Sequence, residues 1–188
     1  MDTAQRDLEH TLAYHGAPAL AGIKPADLIA WGTPQTCTSP VFQEYCTQLA
    51  LRGIQLRVMC TGRPRCLLLV YRPDQLERQL ADGAVRALLL REGYPVDQGL
   101  EAMLTALGRR LSEGSFPHEV GLFLGYPPED VEGFRLHQGR DYKLCGCWKV
   151  YSDVERARQC FRRYGLCRAA LCRRIQEGKP LVQVFRVA

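Results

Sequence analysis

Residues 54–71 read IQLRVMCTGRPRCLLLVY, and this stretch decides the fold class. In its first half, apolar side chains occupy every second position from Ile54 to Cys60, as in a strand that buries one face. Residues 66–71 are continuously apolar, which is typical of a strand covered on both faces. The Thr-Gly-Arg-Pro-Arg segment between them predicts a turn. We therefore predict a β-hairpin whose second strand lies inside a sheet.

The sequence also predicts strands at 26–31, 141–151 and 181–187, in addition to the hairpin. The predicted helices cover 3–14, 41–52, 74–80, 83–92, 96–111, 117–124, 128–136 and 154–176, the last with a break at Gly165. Strands come early, late and as a hairpin, and the helices are mostly grouped between them. We therefore predict an α+β fold, a single domain with helices packed on a mixed or antiparallel sheet of about four to five strands.

The composition is that of a globular protein, with 46% hydrophobic and 24% charged residues in a chain of 188. This length is typical of one domain that buries most of its apolar surface. The first residues are polar and acidic, unlike a secretory signal, and no apolar run reaches membrane-spanning length. We expect a cytoplasmic protein without a membrane partner. The oligomeric state is not predictable from these features.

The best candidate for a functional site is residues 116–134, FPHEVGLFLGYPPEDVEGF. This stretch places His118, one of four histidines, beside Glu119. Because an imidazole changes charge near neutral pH, His118 and Glu119 are a candidate pair for acid–base catalysis. The alternative is structural, with Glu119 only favouring a helix N-terminus. The second histidine that a zinc-protease helix carries four residues on is absent, so that reaction is not indicated.

Further polar and aromatic side chains are predicted to join His118 in one cleft that binds a small anionic or metal-containing molecule. Residues 15–25 contain two glycines and two prolines, which predicts a loop whose backbone can approach a ligand closely. An ordinary structural turn is the alternative for this loop. The predicted ligand-binding residues are His15, Lys24, Tyr71, Arg72, Tyr126, Trp148, Lys149 and Tyr151. The sequence has no phosphate-loop or dinucleotide fingerprint, and it identifies no cofactor.

The cysteines suggest a different function. Cys145 and Cys147 lie two positions apart on a predicted strand, so they would point to one face and are a candidate metal-binding pair. Their spacing does not match a paired zinc knuckle. Three of the nine cysteines, at 160, 167 and 172, lie in the last predicted helices, where an apolar stripe favours a packing role. A cysteine-based metal, haem or redox protein is the first alternative function.

Arginines suggest a third function. Seven arginines and no acidic residue lie between Arg156 and Arg174, and they contribute much of the net charge of +5. A non-catalytic binding module that uses this basic helix face is the second alternative, and a solvated face explains the same pattern. No exposed aromatic pattern or recognisable nucleic-acid-binding module accompanies the arginines, so we do not expect nucleic acid as the partner.

Three segments resemble a family of uncharacterised bacterial proteins from anaerobes, the domain of unknown function DUF3793. They are residues 15–28 with their Ala-Gly-Ile-Lys-Pro, residues 117–127, and the block Trp148-Lys149-Val150-Tyr151. The resemblance extends over nearly the whole chain, but it implies no activity because the family has none established. The family pattern has an aromatic residue at the position of Cys147, so an argument from a Cys145 and Cys147 pair is not general to the family.

Overall fold

The computed structural model describes residues 3–61, 65–113 and 116–185. In chain order its elements are α1 (Thr3–His15), α2 (Ala17–Leu20), β1 (Ala26–Trp31), α3 (Pro34–Cys37), α4 (Pro40–Ala50), β2 (Gln55–Cys60), β3 (Cys66–Tyr71), α5 (Pro73–Ala81), α6 (Gly83–Arg91), α7 (Gly99–Ser112), α8 (Val120–Phe123), α9 (Pro128–Leu136), β4 (Leu144–Cys145), β5 (Lys149–Val150), α10 (Val154–Gln176) and α11 (Leu181–Val184). Within these described ranges, no helix is both long enough and apolar enough to cross a membrane.

A three-stranded antiparallel sheet in the order β1-β3-β2 forms the centre of the fold. Its central strand is β3, as the continuous apolar run predicts. Cys66, Leu68 and Val70 face one layer of helices, and Leu69 and Tyr71 face the other. All five are at most 5% exposed, and burial on both faces explains why this strand shows no alternation of apolar and polar residues.

Two hydrophobic cores cover the two faces of the sheet. The first contains side chains from α1, α2, α4, α10 and α11, and the second contains side chains from α5, α6, α7 and α8. The predicted α+β class with helices packed on a sheet is confirmed. The strands are fewer per sheet than predicted, because β4 and β5 form a separate two-stranded hairpin instead of extending the main sheet.

The burial of strand β2 does not follow simple alternation along its whole length. The pairing with β3 shifts between Val58 and Cys60, which is the register change of a β-bulge. Val58 therefore packs on the first core, whereas Cys60 and its neighbour Met59 belong to the second. The prediction of one buried face from Ile54 to Cys60 is correct only as far as the bulge. The turn predicted after this strand includes residues 62–64, which lie outside the described residues.

Three predictions in the C-terminal part of the chain are wrong. The strand predicted at 141–151 is the hairpin of β4 and β5, with its turn at residues 146–148. The helix predicted to break at Gly165 is the continuous α10, because packing on both sides of this glycine maintains the helix. The strand predicted at 181–187 begins as the short helix α11, and its last two residues lie outside the described ranges.

Short helices were also missed where glycine and proline dominate the sequence. The loop predicted at 15–25 contains α2, and the turn-rich segment before α4 contains α3. Both begin with a proline in the first turn, which is compatible with a helix start. The helix predicted at 117–124 is only α8. The carbonyl groups of residues 117–119 accept hydrogen bonds from the backbone N–H groups three positions later, which is the pattern of turns.

Replacing two glycines with alanine should have opposite effects on stability. Gly125 has a φ of +76°, and a Cβ there would lie 2.6 Å from Cδ of Pro25, so Gly125→Ala should destabilise the protein by about 1–3 kcal/mol. Gly165 lies inside α10 with no atom within 4 Å of its would-be Cβ. Gly165→Ala should stabilise the protein by about 0.5–1 kcal/mol. Urea unfolding followed by far-UV circular dichroism measures both, and a destabilising Gly165→Ala would contradict the continuous helix.

Candidate functional site

A pocket of about 290 Å³ lies between α9, the β4–β5 hairpin and the chain around α8. Its wall is mainly apolar. Four aromatic side chains contribute to it, those of Phe116, Tyr126, Phe134 and Trp148. Besides the Tyr126 phenol, the ionisable side chains on the wall are those of His118, Asp130, Cys145 and Lys149. The pocket therefore combines an aromatic wall with a few polar groups, as small-molecule sites do.

The buried carboxylate of Asp130 fixes the hairpin on α9. Asp130 is 2% exposed, and its Oδ2 accepts a hydrogen bond of 2.7 Å from Nε1 of Trp148. Its Oδ1 accepts two more, each of 2.7 Å, from the backbone N–H groups of Tyr151 and Ser152. Hydrogen bonds to a charged acceptor are stronger than those between neutral groups. Both oxygens of Asp130 are thereby occupied, and its role is to position Trp148.

The indole of Trp148 is held from two further sides. It stacks on the Tyr126 ring with 4.9 Å between centroids, and it meets the Phe161 ring edge-on at 4.7 Å. Residue 146 must be a glycine here, because a Cβ would lie 2.2 Å from the Phe161 ring. The hairpin is therefore packed tightly against α10 as well as α9, and this part of the pocket wall is preorganised.

Two basic side chains on the wall have no carboxylate partner. The exposed His118 ring lies 5.0 Å from the Phe134 ring. Nζ of Lys149 donates a 2.7 Å hydrogen bond to the carbonyl of Gly139 and lies 5.6 Å from the centre of the Phe134 ring. Within the described part of the chain, neither His118 nor Lys149 forms an ion pair. Each remains able to bind an anionic or accepting group.

The carboxylate of Glu119 is bound elsewhere. Its Oε1 accepts hydrogen bonds from Nη1 of Arg110 at 2.8 Å and from the hydroxyl of Tyr94 at 3.1 Å. Glu119 does not line the 290 Å³ pocket, and it shares with His118 only a smaller cavity of about 120 Å³. Glu119 has a structural role, but not the one considered from the sequence: its carboxylate ties the chain before α8 to α7 and makes no capping bond to the described residues of the helix.

The structure brings together half of the predicted ligand-binding residues. Tyr126, Trp148 and Lys149 line the pocket with His118. Lys24 lies behind this group, with its Nζ 5.2 Å from the centre of the Tyr126 ring. Tyr126, Trp148 and Lys149 therefore share one pocket wall with His118, and their role in binding a ligand stays a prediction.

The other four predicted residues lie away from the pocket wall. His15 is exposed at the end of α1, next to Tyr14, and Tyr71 is buried in the second core. The guanidinium of Arg72 donates to backbone carbonyls, including that of Leu20 at 2.7 Å. Tyr151 stacks on His137 instead of His118. The hydrogen bonds of Arg72 tie the end of α2 to the residue that follows β3.

The cysteine pair does not have the predicted arrangement. Cys145 ends β4 and lines the pocket, whereas Cys147 lies in the hairpin turn, so the two are not on one face of a strand. Burial raises the pKa of the Cys147 thiol, and the nearby Lys24 ammonium opposes this rise. In the residues described, no group of three or more His, Cys, Asp and Glu side chains is arranged to hold a metal ion. A metal at Cys145 and Cys147 stays a prediction.

A buried ion pair lies beneath the Tyr126 ring. Nζ of Lys24 donates to Oδ1 of Asp27, and the backbone N–H of Ala19 donates to Oδ2 at 3.2 Å. The two side chains are 6% and 10% exposed. Burial raises the pKa of the Asp27 carboxyl, and the adjacent Lys24 ammonium opposes the rise. Lys24 is therefore committed to Asp27, and it supports Tyr126 from below.

Comparison with known proteins identifies a family but no characterised relative. A family model described as a protein of unknown function, DUF3793, matches residues 12–185, which is most of the chain. No curated protein and no solved structure matches the sequence significantly. The residue roles above therefore rest on the geometry of this chain alone.

Replacing Asp130 with asparagine should loosen the hairpin. The amide has one acceptor oxygen and an NH₂ group that must face either the indole N–H or the two backbone N–H groups. We expect Asp130→Asn to lower the free energy of unfolding by about 2–3 kcal/mol. Asp141→Asn is the control, because Asp141 is exposed and its φ of 54° suits asparagine equally well. Equal urea midpoints for the two variants would contradict the anchoring role of Asp130.

Removing the Lys24 ammonium should make stability depend more strongly on pH. In Lys24→Met the Asp27 pKa should rise further, because the opposing charge is gone. A carboxyl whose folded pKa is raised contributes stability that is present below its unfolded pKa and is lost as the pH rises through the folded pKa. The variant should therefore lose more stability relative to the native protein at about pH 8 than at about pH 5. Urea unfolding at both pH values measures this, with Lys143→Met, at an exposed lysine, as the control.

Proposed function

The chain belongs to the DUF3793 family of proteins of unknown function, and we propose that its aromatic pocket binds a small, largely apolar molecule carrying one anionic or strongly accepting group. The observation that carries this proposal is the combination of four aromatic rings with two unpaired basic side chains around one pocket.

The size and lining of the pocket define the body of the ligand. A volume of about 290 Å³ is at the lower end of the range of about 300–1,000 Å³ found for small-molecule sites. Rings from Trp148 and Phe134 offer faces and edges to a flat molecule, and such contacts contribute about 0.5–1.5 kcal/mol beyond the burial of apolar area. A one- or two-ring compound fits these dimensions.

The charge on the wall defines the polar group of the ligand. Among the described residues lining the pocket, Asp130 is the one carboxylate, and both of its oxygens already accept hydrogen bonds. The ammonium of Lys149 has three N–H donors and uses one for the carbonyl of Gly139, which leaves two. With His118 as a further donor, the wall favours a carboxylate or a similar anion.

Binding has more support than proton transfer. His118 faces the pocket, but the carboxylate predicted to assist it is bonded to Arg110 and Tyr94. Without that partner, His118 has the position of a ligand-binding donor. Acid–base catalysis by His118 alone is the second candidate function, and it requires a ligand whose reacting atom comes within hydrogen-bond reach of the imidazole.

Titration with 1-naphthoate tests the proposal directly. We expect saturable binding by calorimetry, together with a change in tryptophan fluorescence that disappears in Trp148→Phe but not in Trp31→Phe, because Trp31 lies in the first core. The neutral analogue 1-naphthalenemethanol should bind at least about tenfold more weakly, since a hydrogen bond to a charged group is the stronger kind.

Two pairs of variants locate the site. Lys149→Gln and His118→Gln should each weaken naphthoate binding by about tenfold, because each removes a charged or ionisable donor from the wall. Their controls are Lys143→Gln on the same hairpin and His137→Gln after α9, both exposed and both absent from the wall. Absence of saturable binding, or equal losses in the variants and the controls, would overturn the proposal.

A further inference from the structure

A larger and more polar cavity, of about 630 Å³, lies next to the aromatic pocket and shares Tyr126 with it. We propose that this cavity is a second binding site, for a small hydroxylated phosphate ester of the sugar-phosphate type. The proposal does not depend on the function proposed above, because the two cavities have only Tyr126 in common and opposite chemistry.

Two unpartnered guanidinium groups provide the anion-binding side of this cavity. Arg78 extends from α5 and Arg156 from the first turn of α10, and both line the cavity. Among the described residues, neither side chain forms an ion pair or a hydrogen bond. A guanidinium presents five donors in a planar fork that matches the oxygens of a phosphate. Lys24, also on the wall, keeps its ammonium for Asp27, so the two arginines are the donors expected to bind the anion.

Hydrogen-bond acceptors lie on the same wall. Nε2 of Gln75 donates to the carbonyl of Gly22 at 2.9 Å, and Nε2 of Gln79 donates to the carbonyl of Leu122 at 3.1 Å. These bonds fix both amides, and each side-chain oxygen remains an acceptor. Two exposed carboxylates, those of Glu129 and Asp82, also lie on the wall, and Oδ1 of Asp82 already accepts hydrogen bonds from the backbone N–H groups of Ala84 and Val85. Such acceptors suit the hydroxyl groups of a ligand.

The combination favours a phosphate ester over a bare anion. Inorganic phosphate would occupy a small part of 630 Å³ and would leave the acceptors without donors. The carboxylates of Asp82 and Glu129 on the wall disfavour a ligand with several negative groups, so a single phosphate group bound by the two arginines is the anion that we expect. A phosphate on a hydroxylated carbon skeleton gives the arginines an anion and the glutamines donors.

The test uses the full chain and three probes: ribose 5-phosphate, ribose and inorganic phosphate. Calorimetry should show saturable binding of ribose 5-phosphate, at least about tenfold weaker binding of inorganic phosphate, and no measurable binding of ribose, because the sugar lacks the charge-assisted bonds. Arg78→Gln and Arg156→Gln should each weaken the binding of ribose 5-phosphate by about tenfold or more.

Arg158→Gln is the matched control for the charge. Arg158 is exposed on the same helix and absent from the cavity wall, so this variant loses the same charge and should keep its affinity within about twofold. Arg156→Lys, which keeps the charge without the planar fork, should fall between Arg156→Gln and the native protein. Thermal unfolding of each variant verifies that the fold is retained.

Three results would overturn the proposal: no binding of ribose 5-phosphate, equal losses for Arg158→Gln and Arg156→Gln, or equal affinities for ribose 5-phosphate and inorganic phosphate. The variant Lys149→Gln separates the two sites. It should leave ribose 5-phosphate binding unchanged, because Lys149 lines only the aromatic pocket of these two cavities. Failure of naphthoate binding would therefore not affect this result.

Discussion

The hydrogen bonds accepted by the Asp130 carboxylate are the interaction on which the aromatic pocket depends. A buried carboxylate is costly unless its oxygens are paired, and here three N–H groups from the hairpin and the residues after it satisfy them. The same bonds fix the indole of Trp148, which in turn stacks on Tyr126. Because Tyr126 lines both cavities, this one carboxylate helps to position a wall residue that the two cavities share.

The stacked rings of Tyr126 and Trp148 stand next to two different chemical environments. The pocket that includes Trp148 is aromatic, with His118 and Lys149 as its free donors, whereas the cavity without Trp148 carries arginine, glutamine and carboxylate side chains. Beneath Tyr126, the paired charges of Lys24 and Asp27 support the ring without being available to a ligand. Ligands of different character therefore suit the two sides.

Sequence patterns predicted the elements that are defined by local runs or spacings of apolar residues. The strands β1 and β3 and the helix α9 have the predicted boundaries, because each depends on residues within a few positions along the chain. Patterns failed where packing between distant segments decides the conformation. Helix α10 continues through Gly165, since the residues before and after it are buried in different cores.

For the site, the sequence showed which residue types were available: a histidine beside a proline, an aromatic-rich segment at 141–151 and a basic helix at 154–176. Contacts between segments that are distant in the sequence assigned their roles. Glu119 is bonded by Arg110 and Tyr94 from other elements, Cys147 lies in a turn, and Arg156 among the arginines of α10 reaches a cavity. The physical reason is that hydrogen bonds and cavities join residues far apart in the chain, whereas periodicity reports only on neighbours.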